Sequence, residues 1–162
     1  MNAIELLKTQ HDDVKELFEK YEKLGDKATE EKQKCFFEIA DKLSAHATIE
    51  EQIFYPAVKA KQTEDLLLEA VEEHLSAKRV IADLLELAPE DKVYDAKVKV
   101  LQELIEHHVE EEEGEMFKKV KGLLGAESLE TMGTTMEAMF EKLMENEPRN
   151  EVPSEIDRAA SV

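Results

Sequence analysis

The chain has 162 residues, and its 39 acidic and 21 basic side chains give a formal net charge of −18 at pH 7. This charge repels phosphate backbones and anionic headgroups, so we expect neither nucleic acid nor a membrane surface as a partner. Cys35 is the only cysteine, which excludes an internal disulfide, and we see no secretory signal and no apolar run long enough to span a membrane. A cytoplasmic, single-domain protein is expected.

Glycine and proline are scarce and fall between long amphipathic segments, which predicts five helices. The predicted helices span residues 2–25, 29–61, 63–87, 91–124 and 128–144. Asn2 and Glu5 have the spacing of a capping box at the start of the first helix. Pro56 lies inside the second and should kink its last turn.

The first four helices are joined by short connections, which predicts an all-α, antiparallel up-down-up-down four-helix bundle over residues 1–124. The pairs one-two and three-four are the halves of a duplication. An additional amphipathic helix at 125–145 should pack on the bundle through its methionine stripe or form a homodimer contact. The polar tail at 146–162 is predicted to be disordered.

Two motifs place an imidazole and a carboxylate four residues apart, namely His46 with Glu50 and His108 with Glu112. On a helix this spacing puts both groups on one face. A single histidine precedes each motif, His11 by 35 residues and His74 by 34. All of these residues continue the apolar stripes of their helices, so we expect them to converge in the core.

His107 and Glu111 form an equally good pair by spacing alone. His108 follows Leu101 and Ile105 at the centre of the apolar stripe, whereas His107 lies at its margin. The phase of the helix therefore favours His108 with Glu112 as the inward pair.

The converging groups predict a metal site. Ionisable groups are seldom buried unless they are paired or bind a metal. A lone inward histidine is more often an ordinary core residue, but coincidence explains the repeated spacing poorly. The predicted ligands are His11, His46, Glu50, His74, His108 and Glu112. Mixed nitrogen and oxygen donors suit iron or manganese and leave zinc open, and two irons bridged by the glutamates fit best. Solvent, an oxo or hydroxo bridge, or a small diatomic or peroxide ligand would complete the coordination.

The pattern H, HxxxE, H, HxxxE, followed by EEQIFYP after the first motif and EEGEMF after the second, resembles the hemerythrin-like (HHE cation-binding) family over residues 1–124. The resemblance implies a four-helix bundle with a non-haem di-iron centre. It also implies one of several activities: reversible dioxygen binding, oxygen or redox sensing, iron handling, or peroxide or nitric oxide chemistry.

One departure from the family pattern is Lys78. Oxygen-carrying members of the family that this chain resembles have a further histidine at that position. The last carboxylate also differs, since Glu112 follows its histidine by four residues, while Glu113 has the spacing of five that carriers use. Both differences argue against a simple oxygen carrier. Lys78 either approaches the centre as a cation or hydrogen-bond donor or extends to the surface, and we expect the second. Tyr21 and Tyr55 are expected to lie in the core or beside the ligands.

Three functions follow from these patterns. The first is a di-iron protein that binds dioxygen or a related small oxidant, for oxygen or redox sensing, oxidant handling or iron storage. The second is a di-iron peroxidase or nitric oxide scavenging enzyme. The third is a metal-free, acidic helical interaction module. The Glu-x-x-His pairs of ferritin-like bundles and the His-Glu-x-x-His motif of zinc proteases are absent.

Overall fold

The computed structural model describes residues 1–162 and consists of helices and connections, without a strand. Its helical elements are α1 (Ala3–Glu22), α2 (Thr29–Ile49, a π-helical segment Glu50–Phe54 and the turn Tyr55–Ala57), α3 (Glu64–Leu85), α4 (Tyr94–Glu111, a π-helical segment Glu112–Met116 and Phe117–Leu123), α5 (Ala126–Met144) and a 3-10 segment (Pro148–Glu155). The prediction of an all-helical fold is confirmed. None of the helices has both the length and the apolar character that crossing a membrane requires.

The predicted capping box at the start of α1 is present. The side chain of Asn2 accepts a hydrogen bond from the backbone of Glu5 at 3.0 Å, and the Glu5 carboxylate accepts one from the backbone of Asn2 at 3.0 Å. The helix ends at Glu22, before Gly25, and α2 ends at Ala57 rather than near residue 61.

The core consists of two apolar clusters, each built from one end of each of the helices α1 to α4. One cluster takes the start of α1, the end of α2, the start of α3 and the end of α4, through residues such as Leu7, Phe54, Leu67 and Phe117. The other takes the opposite ends, through residues such as Phe18, Phe36, Ile81 and Leu101. Buried polar side chains fill the layer between the clusters. This layer holds the candidate site.

Helix α5 packs on the first cluster, where Met136 is completely buried and Met132 and Met139 are partly buried. Gly133 lies directly against the start of α1, and a Cβ atom there would come within 2.8 Å of the backbone nitrogen of Ala3. The methionine stripe is thus used for packing within the chain.

The tail, for which the composition predicts disorder, forms the 3-10 segment Pro148–Glu155 in the structure, and this segment packs against α2 and α3. Arg149 donates to the Asp41 carboxylate at 2.8 Å, and its guanidinium lies 4.2 Å from the centre of the Phe37 ring. Val152 is completely buried. A few specific contacts replace the apolar content that the composition of the tail lacks.

Candidate metal centre

The six predicted ligands meet in the polar layer between the two apolar clusters. Every one of them is at most 8% exposed, and the two glutamates are the most deeply buried, with Glu50 at 0% and Glu112 at 1%. The structure thus brings together residues from α1, α2, α3 and α4 that are up to 101 positions apart, from His11 to Glu112.

Each glutamate lies between histidines of two helices. Glu50 Oε1 is 3.2 Å from His46 Nε2 and 3.1 Å from His74 Nε2. The matching distances to Glu112 are 3.2 Å from His11 Nε2 and 3.3 Å from His108 Nε2. Each carboxylate therefore lies between one histidine of its own half of the duplicated sequence and one histidine of the other half.

Several of these buried polar atoms have no hydrogen-bond partner. They are His11 Nε2, His46 Nε2, both carboxylate oxygens of Glu50, and Glu112 Oε1. Burying a polar group without a hydrogen-bond partner costs about 2–7 kcal/mol on transfer scales. Five such atoms around one point, all of them metal-ligand types, fit bound cations.

The ligand atoms form two overlapping groups, in each of which all atoms lie within 4.8 Å of one another. One group is His11, His46, Glu50 and Glu112, and the other is Glu50, His74 and His108. Glu50 belongs to both groups and carries two unpartnered oxygens. The donor set therefore fits two ions that share a carboxylate.

The other nitrogen of each histidine is held by an acceptor from a neighbouring helix. Nδ1 of His11 donates to Glu113 at 2.7 Å, that of His46 to Gln10 at 2.7 Å, that of His74 to Glu51 at 2.7 Å, and that of His108 to Glu73 at 2.9 Å. Because a carboxylate or amide oxygen accepts, Nδ1 carries the proton and the Nε2 lone pair faces the centre. We call these four residues the acceptor ring.

The acceptor ring was not predicted from the sequence, apart from Glu113 as an alternative ligand. Every member is the sequence neighbour of a candidate ligand: Gln10 precedes His11, Glu51 follows Glu50, Glu73 precedes His74, and Glu113 follows Glu112. Each accepts a hydrogen bond from the histidine of a neighbouring helix and not from one of its own helix. The sequence signal that could have identified the acceptor ring is a polar residue directly next to an inward-facing candidate ligand.

Glu50 and Glu112, the two candidate glutamate ligands, each open a π-helical segment that the sequence did not predict. The carbonyl of Glu50 accepts from the backbone N–H of Tyr55, and that of Glu112 accepts from Phe117, five residues on in each case. In an α-helix a residue five positions on points about 140° away. The wider turn reduces this angle, so that both aromatic rings can approach the centre, as π-bulges often permit at functional sites.

The two aromatic rings occupy equivalent positions but differ in chemistry. The Tyr55 ring stacks on His74 with centroids 5.6 Å apart, and the Phe117 ring stacks on His11 at 6.2 Å. The Tyr55 hydroxyl donates to Glu112 Oε2 at 2.8 Å. The centre is therefore asymmetric, with one hydroxyl near one of the two glutamates. Tyr21 lies away from the centre and donates to Asp95 at 2.7 Å.

Charges within the site shift the protonation of its residues. Burial alone would lower the pKa of His108, but the nearby carboxylates, Glu112 foremost, together outweigh it and raise that pKa well above its usual value. The pKa values of His11 and His74 are raised in the same way, against burial, chiefly by the nearby carboxylates of Glu112 and Glu50 respectively. Without a metal, these histidines therefore tend to hold protons that compensate the buried carboxylates.

The alternative residues lie outside the ligand groups of the centre. The side chain of His107 is 62% exposed, whereas that of His108 is 6% exposed. Lys78 does not extend to the surface as expected: it is 8% exposed, and its Nζ lies 3.3 Å from Glu51 Oε1. Glu51, the acceptor of His74, offers a buried partner that outweighs hydration of the ammonium group.

Fold and site define an all-helical protein with a buried histidine–carboxylate site able to hold metal ions. Residues 2–120 match the sequence model of the hemerythrin HHE cation binding domain, and the chain belongs to this family.

Two relatives are similar to the chain. A hemerythrin HHE cation binding domain-containing protein from Mycobacterium kansasii has a crystal structure that matches 90% of this chain and 88% of its own, with a TM-score of 0.79 and 28% identity. A DNA nickase from Nostoc sp. strain PCC 7120 is 26% identical over 145 residues, which are 90% of this chain and 41% of the nickase. The chain thus spans about two fifths of the length of this curated relative.

Proposed function

We propose that this chain is a non-haem di-iron protein that binds dioxygen or a related small oxidant, for oxygen or redox sensing, oxidant handling or iron storage. The observation that carries the proposal is the set of buried, unpartnered imidazole and carboxylate atoms at one point of the core. Mixed imidazole and carboxylate donors suit iron, with manganese and zinc as the other ions of matching preference.

In this proposal His11, His46, His74 and His108 would hold the ions through Nε2, and Glu50 and Glu112 would supply carboxylate oxygens. Two bound irons would supply Lewis acidity and one-electron redox change and would bind the small ligand. The acceptor ring fixes the imidazole orientation and increases its basicity.

A small cavity beside the histidines supports a small ligand. It has a volume of about 30 Å³ and is lined by the four histidines together with apolar side chains such as Val14, Leu43 and Val109. A water molecule needs about 10–15 Å³ by this kind of measure. The cavity has room for a diatomic molecule or peroxide. A larger surface depression of about 320 Å³ shares His11, Ile105 and Val109 with it and offers an entry route between α1 and α4.

We also propose the antiparallel up-down-up-down arrangement of α1 to α4 as the scaffold. Its support is that each apolar cluster takes alternate ends of successive helices. The acceptor ring adds a second argument, because it links α1 to α2, α2 to α3, α3 to α4 and α4 to α1.

Metal analysis tests the proposal. The full chain, loaded with ferrous iron without air and then desalted, should retain about two irons, whereas His46→Ala should lose at least one of them and exposed His107→Ala should keep both. Admission of air should change the near-ultraviolet absorption of the wild type. Metal content below one ion per chain, unchanged in His46→Ala, would contradict the proposal and favour the metal-free interaction module.

A second candidate is a di-iron peroxidase or nitric oxide scavenging enzyme. The Tyr55 hydroxyl favours it, because this proton donor lies among the candidate ligands, 2.8 Å from Glu112 Oε2 and 3.3 Å from His74 Nε2. Tyr55→Phe should then keep its iron and lose turnover of hydrogen peroxide or nitric oxide. Equal turnover in wild type and Tyr55→Phe would remove this argument for the enzyme.

The nickase activity named for the longer relative is not part of our proposal. A net charge of −18 opposes contact with phosphate, so we infer that nucleic acid is not a partner of this chain. A location in the cytoplasm fits its single, buried cysteine.

A further inference from the structure

A second group of metal-ligand side chains lies on the surface between α3 and α4. We call it the outer cluster, and it consists of Glu69, Glu73, His107 and Glu111, whose ligand atoms all lie within 4.8 Å of one another. His107 Nε2 is 3.2 Å from Glu111 Oε1 and 3.4 Å from Glu73 Oε2. This is the HxxxE pair that the phase of α4 excludes from the buried centre.

The outer cluster is built by the same spacing rule as the buried centre. His107 and Glu111 are four residues apart on α4, and Glu69 and Glu73 are four apart on α3. Each pair therefore shares one helix face, and the two faces meet. The result is one imidazole and three carboxylates, a donor set suited to a divalent iron, manganese or zinc ion.

The negative charge of the outer cluster has no lysine or arginine to balance it. The ion pairs of these carboxylates involve histidines alone. Repulsion among the carboxylates is the state that a divalent cation would relieve.

Two observations connect the outer cluster to the buried centre. Glu73 uses its second oxygen, Oε1, to accept from His108 Nδ1 at 2.9 Å. A cavity of about 10 Å³ also lies between α3 and α4, lined by Glu73 and Glu111 and by His108 and Glu112. Glu112 is 1% exposed and its Oε1 has no hydrogen-bond partner. Metal-ligand side chains thus line the way from the surface to the core, beside the apolar Leu66, Ala70 and Met116.

We propose that the outer cluster is a third cation site, which captures a ferrous ion and delivers it to the buried centre. Capture rests on the outer cluster alone, while delivery rests on the proposed function of the centre. As the ion passes between α3 and α4, it loses Glu69 and His107 as ligands and gains Glu112.

The test uses the full chain freed of metal, ferrous iron without air, and the variants H107A/E111Q and E103Q. Glu103 is an exposed acid on the same helix, and E103Q removes the same single negative charge as the double variant. Equilibrium dialysis counts all bound iron. A chelator quench at increasing times counts the iron that has reached the buried centre.

We expect about three irons in the wild type and in E103Q, one of which the chelator removes at once, and about two in H107A/E111Q. The rate at which chelator-resistant iron appears should fall about tenfold in the double variant, because a charged entry site raises the local ion concentration by about 10–10³. Equal iron counts in wild type and H107A/E111Q overturn the third site, and equal loading rates overturn delivery.

A buried centre that binds no iron would give a different result. The wild type would then hold one chelator-labile iron, which His46→Ala keeps and H107A/E111Q loses. That result would support the outer site and remove the di-iron proposal. Two chelator-resistant irons in all variants, with no labile ion, would support the di-iron proposal and overturn the outer site.

Discussion

The ion pair between Lys78 and Glu51 is buried, and replacing Lys78 with methionine measures what it contributes. The Nζ and Oε1 atoms are 3.3 Å apart, and both side chains are 11% exposed. The pair of Lys97 with Asp83 has the same 3.3 Å distance, but its side chains are 36% and 63% exposed. Lys97→Met is therefore a control matched in distance and in chemical change, and it differs in burial.

The expected losses differ because water solvates only one of the carboxylates left behind. Removing one partner of a buried ion pair costs about 3–5 kcal/mol when the other charge is left alone. In Lys78→Met, Glu51 still accepts from His74 Nδ1 at 2.7 Å, so we expect a smaller loss of about 2–3 kcal/mol. Lys97→Met should cost about 0–1 kcal/mol, as for other exposed pairs.

The assay is urea unfolding of the metal-free chain, with the free energy of unfolding extrapolated to water and the slope m compared among variants. For a chain of this length the Lys78→Met loss corresponds to a decrease in melting temperature of about 4–12 °C. Equal losses in the two variants would refute the argument that burial sets the strength of the Lys78 pair. A larger loss in Lys97→Met would refute it as well.

Three other predictions concern packing, the tail and pH. Gly133→Ala should destabilise the chain by about 1–3 kcal/mol, because its Cβ would meet the start of α1, whereas Gly122→Ala has open space and should be neutral or stabilising in thermal unfolding. Arg149→Ala should cost about 1–3 kcal/mol in urea unfolding through loss of its carboxylate and ring contacts, and an unchanged midpoint would show that the tail does not stabilise the fold. Three of the four inner histidines have raised pKa values, so their contribution to the stability of the metal-free chain is full below about pH 6.5 and is lost as pH rises through the raised values. Iron binding should for the same reason strengthen with rising pH and release protons, which a pH indicator can detect; binding that is independent of pH would contradict this.

Much of the fold could be predicted because each helix carries its own signal. The apolar stripes specify which side faces inward, and the position of His108 on its stripe separated it correctly from exposed His107. The tail could not be predicted in this way. Its order depends on Arg149 finding Asp41 and Phe37, which are more than 100 residues away in sequence, and composition contains no information about such pairs.

The surroundings of the site were harder to predict than its centre. Spacing places His46 and Glu50 on one face, but it does not show that the helix widens after Glu50 and lets Tyr55 approach Glu112. The prediction that Lys78 extends to the surface failed for a related reason, since its partner Glu51 lies on another helix. A helical period describes contacts within a helix, whereas these features depend on contacts between helices.

The acceptor ring couples docking of the helices to orientation of the histidines. Each helix supplies the acceptor for the histidine of the next, from α1 through α4 and back to α1. Displacement of one helix therefore removes an acceptor from one imidazole and moves a ligand of its own. Because an ion binds only the assembled arrangement, its binding free energy adds to the stability of the docked helices. The polar layer, whose buried groups lack partners within the protein, is thus the one through which metal can stabilise the whole fold.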